Sequence, residues 1–237
     1  MMVMQVFYAP DISGEKYVLD KNESKHIVRV LRMREGTPVN LIDGRGNLFE
    51  GVISDPDPSG CVIKVGLVTH EYEKKQYRLH IAISPLKNPE RFEWFIEKAV
   101  EIGIDEITPL ICKNTEKPGV KSDRINNIII SAMKQSLKAY STVLNETKDF
   151  KDFIIEAHKG KLMIAHCHDG YLRHNIPEIC SPGEGAVILI GPEGDFSEEE
   201  VNEAICKNYN QIQLGPSRLR TETAGVAACH SIYFINQ

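Results

Sequence analysis

The sequence of 237 residues has no long apolar segment. No stretch approaches about 18 uninterrupted apolar residues, the length that a membrane-spanning helix needs. Residues 1–10 are too few and too poor in charge to form a secretory signal peptide. We therefore expect a soluble, cytoplasmic protein.

Paired cysteines are missing as well. The six cysteines are scattered without a Cys-x-x-Cys pair, which argues against a zinc site and against a disulfide framework. The segment His166-Cys167-His168-Asp169 carries metal-binding side-chain types, but a metal site needs three or four convergent ligands. The sequence shows no third partner, so we expect no metal.

A net positive charge is also lacking. The chain has 28 Lys and Arg residues against 33 Asp and Glu residues, and its formal net charge is −5. Because phosphate contacts are made by Lys and Arg, this balance argues against a general nucleic-acid coat protein. Any RNA binding has to be local.

The first part of the chain contains short strand patterns separated by turns. Strands are predicted over 3–8, 37–42, 48–54 and 61–68, with turns at 43–46 and 55–60. A small β-barrel is the simplest fold for this pattern.

A basic helix is predicted between these strands, starting at Asn22 or Ser24. Spacings of i, i+4 and i+7 place three positive residues on one helix face: Lys25, Arg29 and Arg32. Over residues 21–34 there are five positive side chains, including Arg34, and one negative. The face is either simply solvated or contacts RNA.

The charged segment 71–76 is predicted to be a linker, and strands and helices alternate after it, which indicates an α/β fold. Strands are predicted over 79–84, 107–112 and 162–167. A helix capped by Asn88, with Pro89 in its first turn, is predicted to end at Gly103. Further helices are predicted over 122–140 and 223–234, residues 113–124 form a basic loop, 177–185 is a loop, and 150–158 is undecided.

The most informative stretch, residues 186–225, contains two apolar strand patterns at 186–190 and 212–214, each followed by Gly-Pro. A helix lies between them, and Ser197 with Glu200 forms a capping box at its start. Both strands therefore point the same way, and both Gly-Pro loops emerge at one edge of the sheet, where ligands of α/β proteins bind. The first loop is acidic and no phosphate motif is present, so the pair suits a ligand with an apolar aromatic part and a positive centre.

Four motifs carry a family resemblance. GPEGDFSEEE (191–200) followed by LGPSRLRTETA (214–224) resembles the paired loops of the RsmE family of SPOUT methyltransferases. HIVRVLR (26–32) and KNPERFEWFIEKAVEIGIDEITPL (87–110) extend the resemblance over most of the chain. The resemblance implies a PUA-like RNA-binding β-barrel in residues 1–72 and an α/β trefoil-knot methyltransferase domain in residues 73–237. It also implies a homodimer that methylates N3 of a uridine in 16S ribosomal RNA, within the small ribosomal subunit, using S-adenosylmethionine.

Carried over position by position, the resemblance implies particular site residues. Those expected to bind the cofactor are Leu189, Ile190, Gly191, Glu193, Gly194, Leu214, Gly215, Leu219, Arg220 and Thr221. His166 is expected to line the same pocket for a separate reason, because its strand ends at the same edge of the sheet. Those expected to contact RNA are Lys25, Arg29, Arg32, Arg34, Lys113, Lys121, Arg124 and Lys138. The chain departs from the family pattern at Gln5 and Lys138, where relatives often carry an arginine, and at Asp195, where they commonly carry a glycine.

The expected chemistry needs a stabilising group for the negative charge that develops on the uracil ring and an acceptor for its proton. Arg220 is the candidate for the first role, because a guanidinium is always charged and offers several donors. Glu222 or Glu193 is the candidate for the second. Alternatively, Arg220 pairs with one of these glutamates to brace the loop. A non-catalytic RNA-binding module, a methyltransferase of the same fold acting on another RNA, and a cofactor-binding regulator without catalysis remain rival functions.

The last predicted helix has small residues at helical spacing. Ala224, Ala227 and Ala228 permit close packing on another helix. We interpret this face as part of the dimer interface.

Overall fold

The computed structural model describes residues 5–237, which fall into two compact units. The first contains residues 5–74 together with Met133–Ser141, and the second contains Lys75–Ala132 and Thr142–Gln237. The predicted division between residues 72 and 73 stays a prediction.

The first unit contains a five-stranded sheet in the order β1-β3-β4-β5-β2. Its elements are β1 (Val6–Tyr8), β2 (Lys16–Val18), α1 (Lys21–Lys25), β3 (Pro38–Ile42), β4 (Leu48–Asp55) and β5 (Val62–Thr69). The sheet surrounds an apolar core that includes Phe7, Leu41 and Ile63. All four predicted strands are confirmed where the structure describes them, although residues 3 and 4 of the first lie outside the described residues. Strand β2 was not predicted from the sequence.

The turn between β3 and β4 confirms the prediction for residues 43–46. Asp43 Oδ1 accepts hydrogen bonds from the backbone N–H groups of Arg45 (2.8 Å) and Asn47 (3.1 Å). One aspartate side chain thus holds the whole turn, as is typical of Asx turns.

The predicted basic helix differs from expectation in its start and its geometry. Asp20, and neither Asn22 nor Ser24, caps α1 by accepting from two backbone N–H groups. Residues His26–Val30 then form a π-helical turn, and Arg32 has a left-handed backbone with a φ of 54°. A π-helical turn changes the side-chain spacing, so the prediction of one continuous i, i+4, i+7 face is wrong.

The second unit is built on an eight-stranded sheet whose main path runs β11-β13-β10-β12-β6-β7-β8, with β9 paired to β7. Its strands are β6 (Leu79–Ile83), β7 (Glu106–Ile111), β8 (Val143–Leu144), β9 (Lys148–Asp149), β10 (Lys161–Ala165), β11 (His174–Asn175), β12 (Ala186–Ile190) and β13 (Asn210–Gln213). The pairs of β12 with β6 and of β10 with β12 and β13 are parallel. The predicted α/β sheet is confirmed, and β10 lies between the two strands that precede the Gly-Pro loops.

The helices of this part of the chain are α2 (Pro89–Ile102), α3 (Ser122–Gln135), α4 (Phe150–Ile155), α5 (Ile176–Ile179), α6 (Glu198–Cys206) and α7 (Thr221–Ile235). Helix α2 has the predicted Asn88 cap and ends at Gly103, which has a left-handed backbone. Helix α6 has the predicted capping box of Ser197 and Glu200. No helix within residues 5–237 is long and apolar enough to cross a membrane.

Two helix predictions need correction. Helix α3 ends at Gln135 and does not reach residue 140, because Leu137 has a φ of 58° that a helix cannot contain. Residues 177–179, predicted as loop, belong to α5, whose start is stabilised by a capping box of Asn175 and Glu178.

Helix α7 packs on α2 and β6. A Cβ atom at Gly225 would lie 2.6 Å from the Phe95 ring, so glycine is needed for this close approach. Ala228 is fully buried in the protein's own core. The interpretation of Ala228 as a dimer-interface residue is therefore wrong.

Candidate active site

A cavity of about 340 Å³ lies at the carboxyl edge of the parallel sheet of the second unit. The ends of β10, β12 and β13 and the start of α7 form its walls. Because these strands are parallel, the segments that follow them come together at this edge. Both Gly-Pro loops therefore line one cavity, as the sequence predicted.

The cavity brings together most of the residues proposed from the sequence. Its lining includes His166, Ile190, Gly191, Glu193, Leu214, Gly215, Leu219, Arg220 and Thr221. Three proposed residues do not line it. Leu189 is fully buried in the hydrophobic core, Gly194 lies against the Asn114 side chain, and the Glu222 side chain is buried behind the cavity.

The first loop, defined as residues 191–196, is held by several neighbouring elements. Thr221 Oγ1, at the start of α7, donates to the Gly191 carbonyl at 3.0 Å. The Asn114 side-chain amide, which follows β7, donates to the carbonyls of Gly194 (3.3 Å) and Asp195 (3.1 Å). His168 Nε2 lies 2.6 Å from the Phe196 carbonyl. This loop is therefore fixed before any ligand binds.

Gly191 is needed for the packing of the first loop itself. A Cβ atom at this position would lie 3.0 Å from the ring of Phe196, a side chain that is almost completely buried. Glycine at this position is therefore required by the packing of the loop, whether or not a ligand approaches it.

The second loop, defined as residues 214–220, has far fewer bonds to the rest of the described chain than the first loop has. Within residues 5–237, residues 214–219 make no hydrogen bond or ion pair, and residues 215–218 are exposed. Gly215 has a φ of +115° and open space around its Cα atom. Glycine is required here for its backbone conformation rather than for its small size.

Arg91 on α2 lines the cavity and was not among the site residues predicted from the sequence. Its Nη1 atom lies 3.2 Å from Glu193 Oε1, and its Nε atom lies 3.9 Å from Glu222 Oε1. One guanidinium therefore faces both candidate proton acceptors. Its position in the sequence could have indicated this role. Arg91 lies two residues after Pro89, in the first turn of a helix that follows a strand of this sheet.

Arg220 has no ion pair among the residues that the structure describes, and its side chain is exposed in the cavity wall. The alternative in which Arg220 braces the loop through Glu193 or Glu222 is therefore not what this structure shows. Arg91 contacts these carboxylates instead.

His166 is buried, and its Nε2 atom lies 3.1 Å from Gln211 Oε1. Burial lowers the pKa of His166 below its ordinary value, so the ring is neutral at pH 7. Its neighbour His168 contacts a backbone carbonyl. In residues 5–237, no group of three or more His, Cys, Asp or Glu side chains is arranged to hold a metal ion.

Other lining residues were not assigned to the cofactor site individually from the sequence, although Asp195, Ser217 and Arg218 belong to the two family motifs. They include Cys167 and Arg173 after β10, Asp195 in the first loop, and Ser217 and Arg218 in the second loop. The positions of Cys167 and Arg173 depend on β10 lying between β12 and β13, which the sequence pattern alone does not specify.

The proposed RNA-contacting residues are distributed over both units. Lys25, Arg29, Arg32 and Arg34 of the first unit are exposed and have no ion pair within residues 5–237. In the second unit, Lys113 pairs with Glu199 at 2.9 Å and Arg124 pairs with Glu93, whereas Lys121 is exposed without a partner in the described chain. Lys138 is half-buried.

Family models match both units of the chain. Residues 73–233 match an RNA methyltransferase domain, and residues 19–66 match an RNA methyltransferase PUA domain. Fold, cavity and family model together define the class of this protein, which is a methyltransferase.

Individual relatives narrow the class. Ribosomal RNA small subunit methyltransferase E of Mesomycoplasma hyopneumoniae is 31% identical over 94% of this chain and 96% of the relative. A crystal structure from Porphyromonas gingivalis, described as a probable rRNA-methyltransferase, is 40% identical with a TM-score of 0.93 and covers 98% of both chains. A Legionella pneumophila protein, described as a methyltransferase with bound cofactor SAM, is 25% identical with a TM-score of 0.87, again over 98% of both chains. The chain therefore belongs to the ribosomal RNA small subunit methyltransferase E family, which confirms the resemblance to RsmE.

Proposed function

We propose that this protein transfers a methyl group from S-adenosylmethionine to N3 of a uridine in 16S ribosomal RNA. The observation that carries the proposal is the meeting of both Gly-Pro loops, His166 and the start of α7 around one cavity. Membership of the methyltransferase E family supports ribosomal RNA as the substrate. The family resemblance alone supports the choice of uridine N3.

The cavity suits the cofactor in size and chemistry. Its volume of about 340 Å³ falls within the range of small-molecule sites, roughly 300–1,000 Å³. Ile190, Ile212 and Leu214 offer apolar surface for an aromatic ring, and Glu193 places negative charge where a sulfonium would be attracted. When bound, S-adenosylmethionine supplies an activated methyl group.

Arg220 stabilises the charge that develops on the uracil ring in this proposal. Its guanidinium lies in the cavity wall without a competing carboxylate among the described residues. A preorganised donor aimed at developing charge is a large source of rate enhancement. Glu193 is better placed than Glu222 to accept the N3 proton, because Glu193 lines the cavity and Glu222 lies behind it.

RNA binding is assigned to local basic groups. We assign residues 1–72 to a PUA-like RNA-binding domain and residues 73–237 to the methyltransferase domain, which the extents of the two family models support. Unpaired cations within the described chain, such as Arg29, Arg34 and Lys121, are the best candidates for phosphate contacts, since no carboxylate has to be displaced. We infer a cytoplasmic location from the proposed small-subunit substrate.

The proposal includes a homodimer. With Ala228 inside the protein core, the supporting surface is the exposed side of α7, where Phe234 is 67% exposed and Tyr233 is 38% exposed. Contiguous exposed apolar patches mark interaction surfaces, and these two neighbouring rings would form part of such a patch on α7. Light scattering at micromolar concentration tests the dimer, and a strictly monomeric protein that still transfers methyl groups would contradict it.

Methyl transfer to undermethylated small-subunit RNA tests the function. The assay uses S-adenosylmethionine with a labelled methyl group, and digestion to nucleosides identifies the product. Label in 3-methyluridine is the expected result. Label in another nucleoside would refute the N3 assignment and leave a methyltransferase, whereas binding of both ligands without transfer would favour the non-catalytic rivals. Free RNA and assembled subunits assayed in parallel show which one is the substrate.

Cys167 provides a test of the cofactor's position that does not depend on RNA. Cys167 and Cys206 are the exposed cysteines among those described, and only Cys167 lines the cavity. Saturating S-adenosylmethionine should slow alkylation of Cys167 several-fold and leave Cys206 unchanged. Equal rates at Cys167 with and without bound cofactor would refute the placement.

A further inference from the structure

Asp195 has an unusual backbone conformation within the first loop. Its φ is 65°, in the left-handed region that glycine favours. For most other residues this conformation is unfavourable, although Asp and Asn adopt it more readily than most. Its backbone N–H donates to the Pro192 carbonyl at 2.9 Å, which closes a tight turn.

The side chain of Asp195 uses both of its oxygens. Oδ2 accepts a hydrogen bond from the backbone N–H of Cys167 at 2.8 Å, and Oδ1 accepts one from the N–H of Phe196 at 2.8 Å. Cys167 follows β10, whereas Asp195 follows β12, so the first bond joins the ends of two neighbouring strands. Hydrogen bonds to a carboxylate are among the stronger ones in proteins.

Both ends of this connection lie in the cavity wall. The left-handed turn directs the carboxylate toward the end of β10. The charge-assisted bond then holds the first loop and the end of β10 at a fixed separation.

We propose that Asp195 is a positioning residue that holds the first loop against the end of β10 and thereby preforms the cofactor cavity. This inference rests on the proposed function, because it assigns the preformed cavity to S-adenosylmethionine. Preorganisation of this kind increases affinity by removing the cost of ordering the loop during binding. An alternative role for the same carboxylate is direct attraction of the positive sulfonium.

Three variants separate the components of this role. Asp195→Gly keeps the left-handed backbone and removes both side-chain bonds. Asp195→Asn also tolerates that backbone, keeps one oxygen acceptor for the Cys167 N–H, and removes the charge. Asp195→Ala removes the bonds and strains the backbone.

Calorimetry with two ligands provides the main measurement. Asp195→Gly should weaken the binding of S-adenosylmethionine about tenfold, and that of S-adenosylhomocysteine, which lacks the positive sulfur, by the same factor. Asp195→Asn should stay within about threefold of the native protein for both ligands, since it restores the bond to Cys167, and Asp195→Ala should bind at least as weakly as the glycine variant. A selective loss of S-adenosylmethionine binding, equal in the glycine and asparagine variants, would overturn the positioning role in favour of charge attraction. Unchanged affinity in Asp195→Gly would overturn both roles.

A measurement on the free protein keeps the inference separate from the proposed function. Amide hydrogen exchange at Cys167 should accelerate at least tenfold in Asp195→Gly and little in Asp195→Asn, with thermal melting confirming that each variant is folded. Unchanged exchange would contradict the connection itself. If the native protein bound neither ligand, the proposed function would fail. The exchange result would still decide whether Asp195 joins the first loop to the end of β10.

Discussion

The two loops around the cavity differ in how much of the protein holds them. The first loop receives hydrogen bonds from the segments after β7 and β10 and from the start of α7, and Arg91 of α2 pairs with its Glu193. In the second loop, residues 214–219 make no such bonds within the described chain. The first loop is therefore a preformed wall of the cavity, and the second loop is an adaptable wall.

The difference follows from the strands that lead into the loops. All five residues of β12 are buried, and Phe196 in the first loop packs into the core. Strand β13 is only partly buried, and the residues after Leu214 face solvent. Segments with few buried apolar contacts open at low free energy, and ligand-binding segments are often of this kind.

The largest expected effect tests whether the second loop supplies the residue that stabilises charge during methyl transfer. Arg220→Ala should reduce methyl transfer by about a hundredfold or more, because a charge-stabilising donor is lost, and should leave the affinities for cofactor and RNA within a few-fold. Arg218→Ala, in the same loop and also in the cavity wall, is the matched control and should lose much less activity. Single-turnover transfer and calorimetry measure the two quantities. Loss of cofactor binding in proportion to activity would show that Arg220 serves the loop and not the reaction.

A smaller effect should distinguish the glycines of the two walls. Gly191→Ala should lower the melting temperature by several degrees, because overpacking against Phe196 costs about 1–3 kcal/mol. Gly215→Ala should barely change the melting temperature, because the second loop contributes little to stability. It should weaken cofactor binding about tenfold, because alanine is strained at the φ of +115° that glycine adopts here.

Gly119→Ala is the control for both glycine variants, because no atom lies within 4 Å of its added Cβ and its backbone is unstrained. It should change neither quantity. A fall in melting temperature for Gly215→Ala as large as that for Gly191→Ala would contradict the distinction between the walls.

The smallest effect concerns the native protein. Hydrogen exchange in residues 214–220 should be fast without ligand and should slow several-fold when S-adenosylmethionine is added. Residues 191–196 should exchange slowly in both states. Mass spectrometry of peptic fragments measures both segments in one experiment. Equal protection of the two loops in the free protein would contradict the distinction between a preformed and an adaptable loop.

The sequence predicted the parts of this site that depend on local chemistry. The buried run of β12, the capping box of Ser197 and Glu200 and the Asn88 cap of α2 follow from periodicity and hydrogen-bonding capacity, and each is confirmed. The common edge of the two Gly-Pro loops followed from the direction of parallel strands, and it too is confirmed.

What the sequence could not provide depends on contacts between distant residues. The pairing of Arg91 with Glu193 joins residues that are 102 positions apart, and no local pattern specifies it. The early end of α3 depends on a left-handed Leu137, a residue type that rarely adopts this conformation. The π-helical turn at His26–Val30 broke a face that regular helical spacing had predicted.

The order of strands around the cavity also affects when the site can form during synthesis. Strand β10 pairs with β12 and β13, both of which follow it in the chain, and Thr221 then bonds back to Gly191. A nascent chain that has emerged from the ribosome only as far as β12 lacks both loops, because residues 191–196 and 214–220 follow that strand. The cavity can therefore form only after the start of α7 has emerged, and S-adenosylmethionine can stabilise the fold by binding only at that late stage of synthesis.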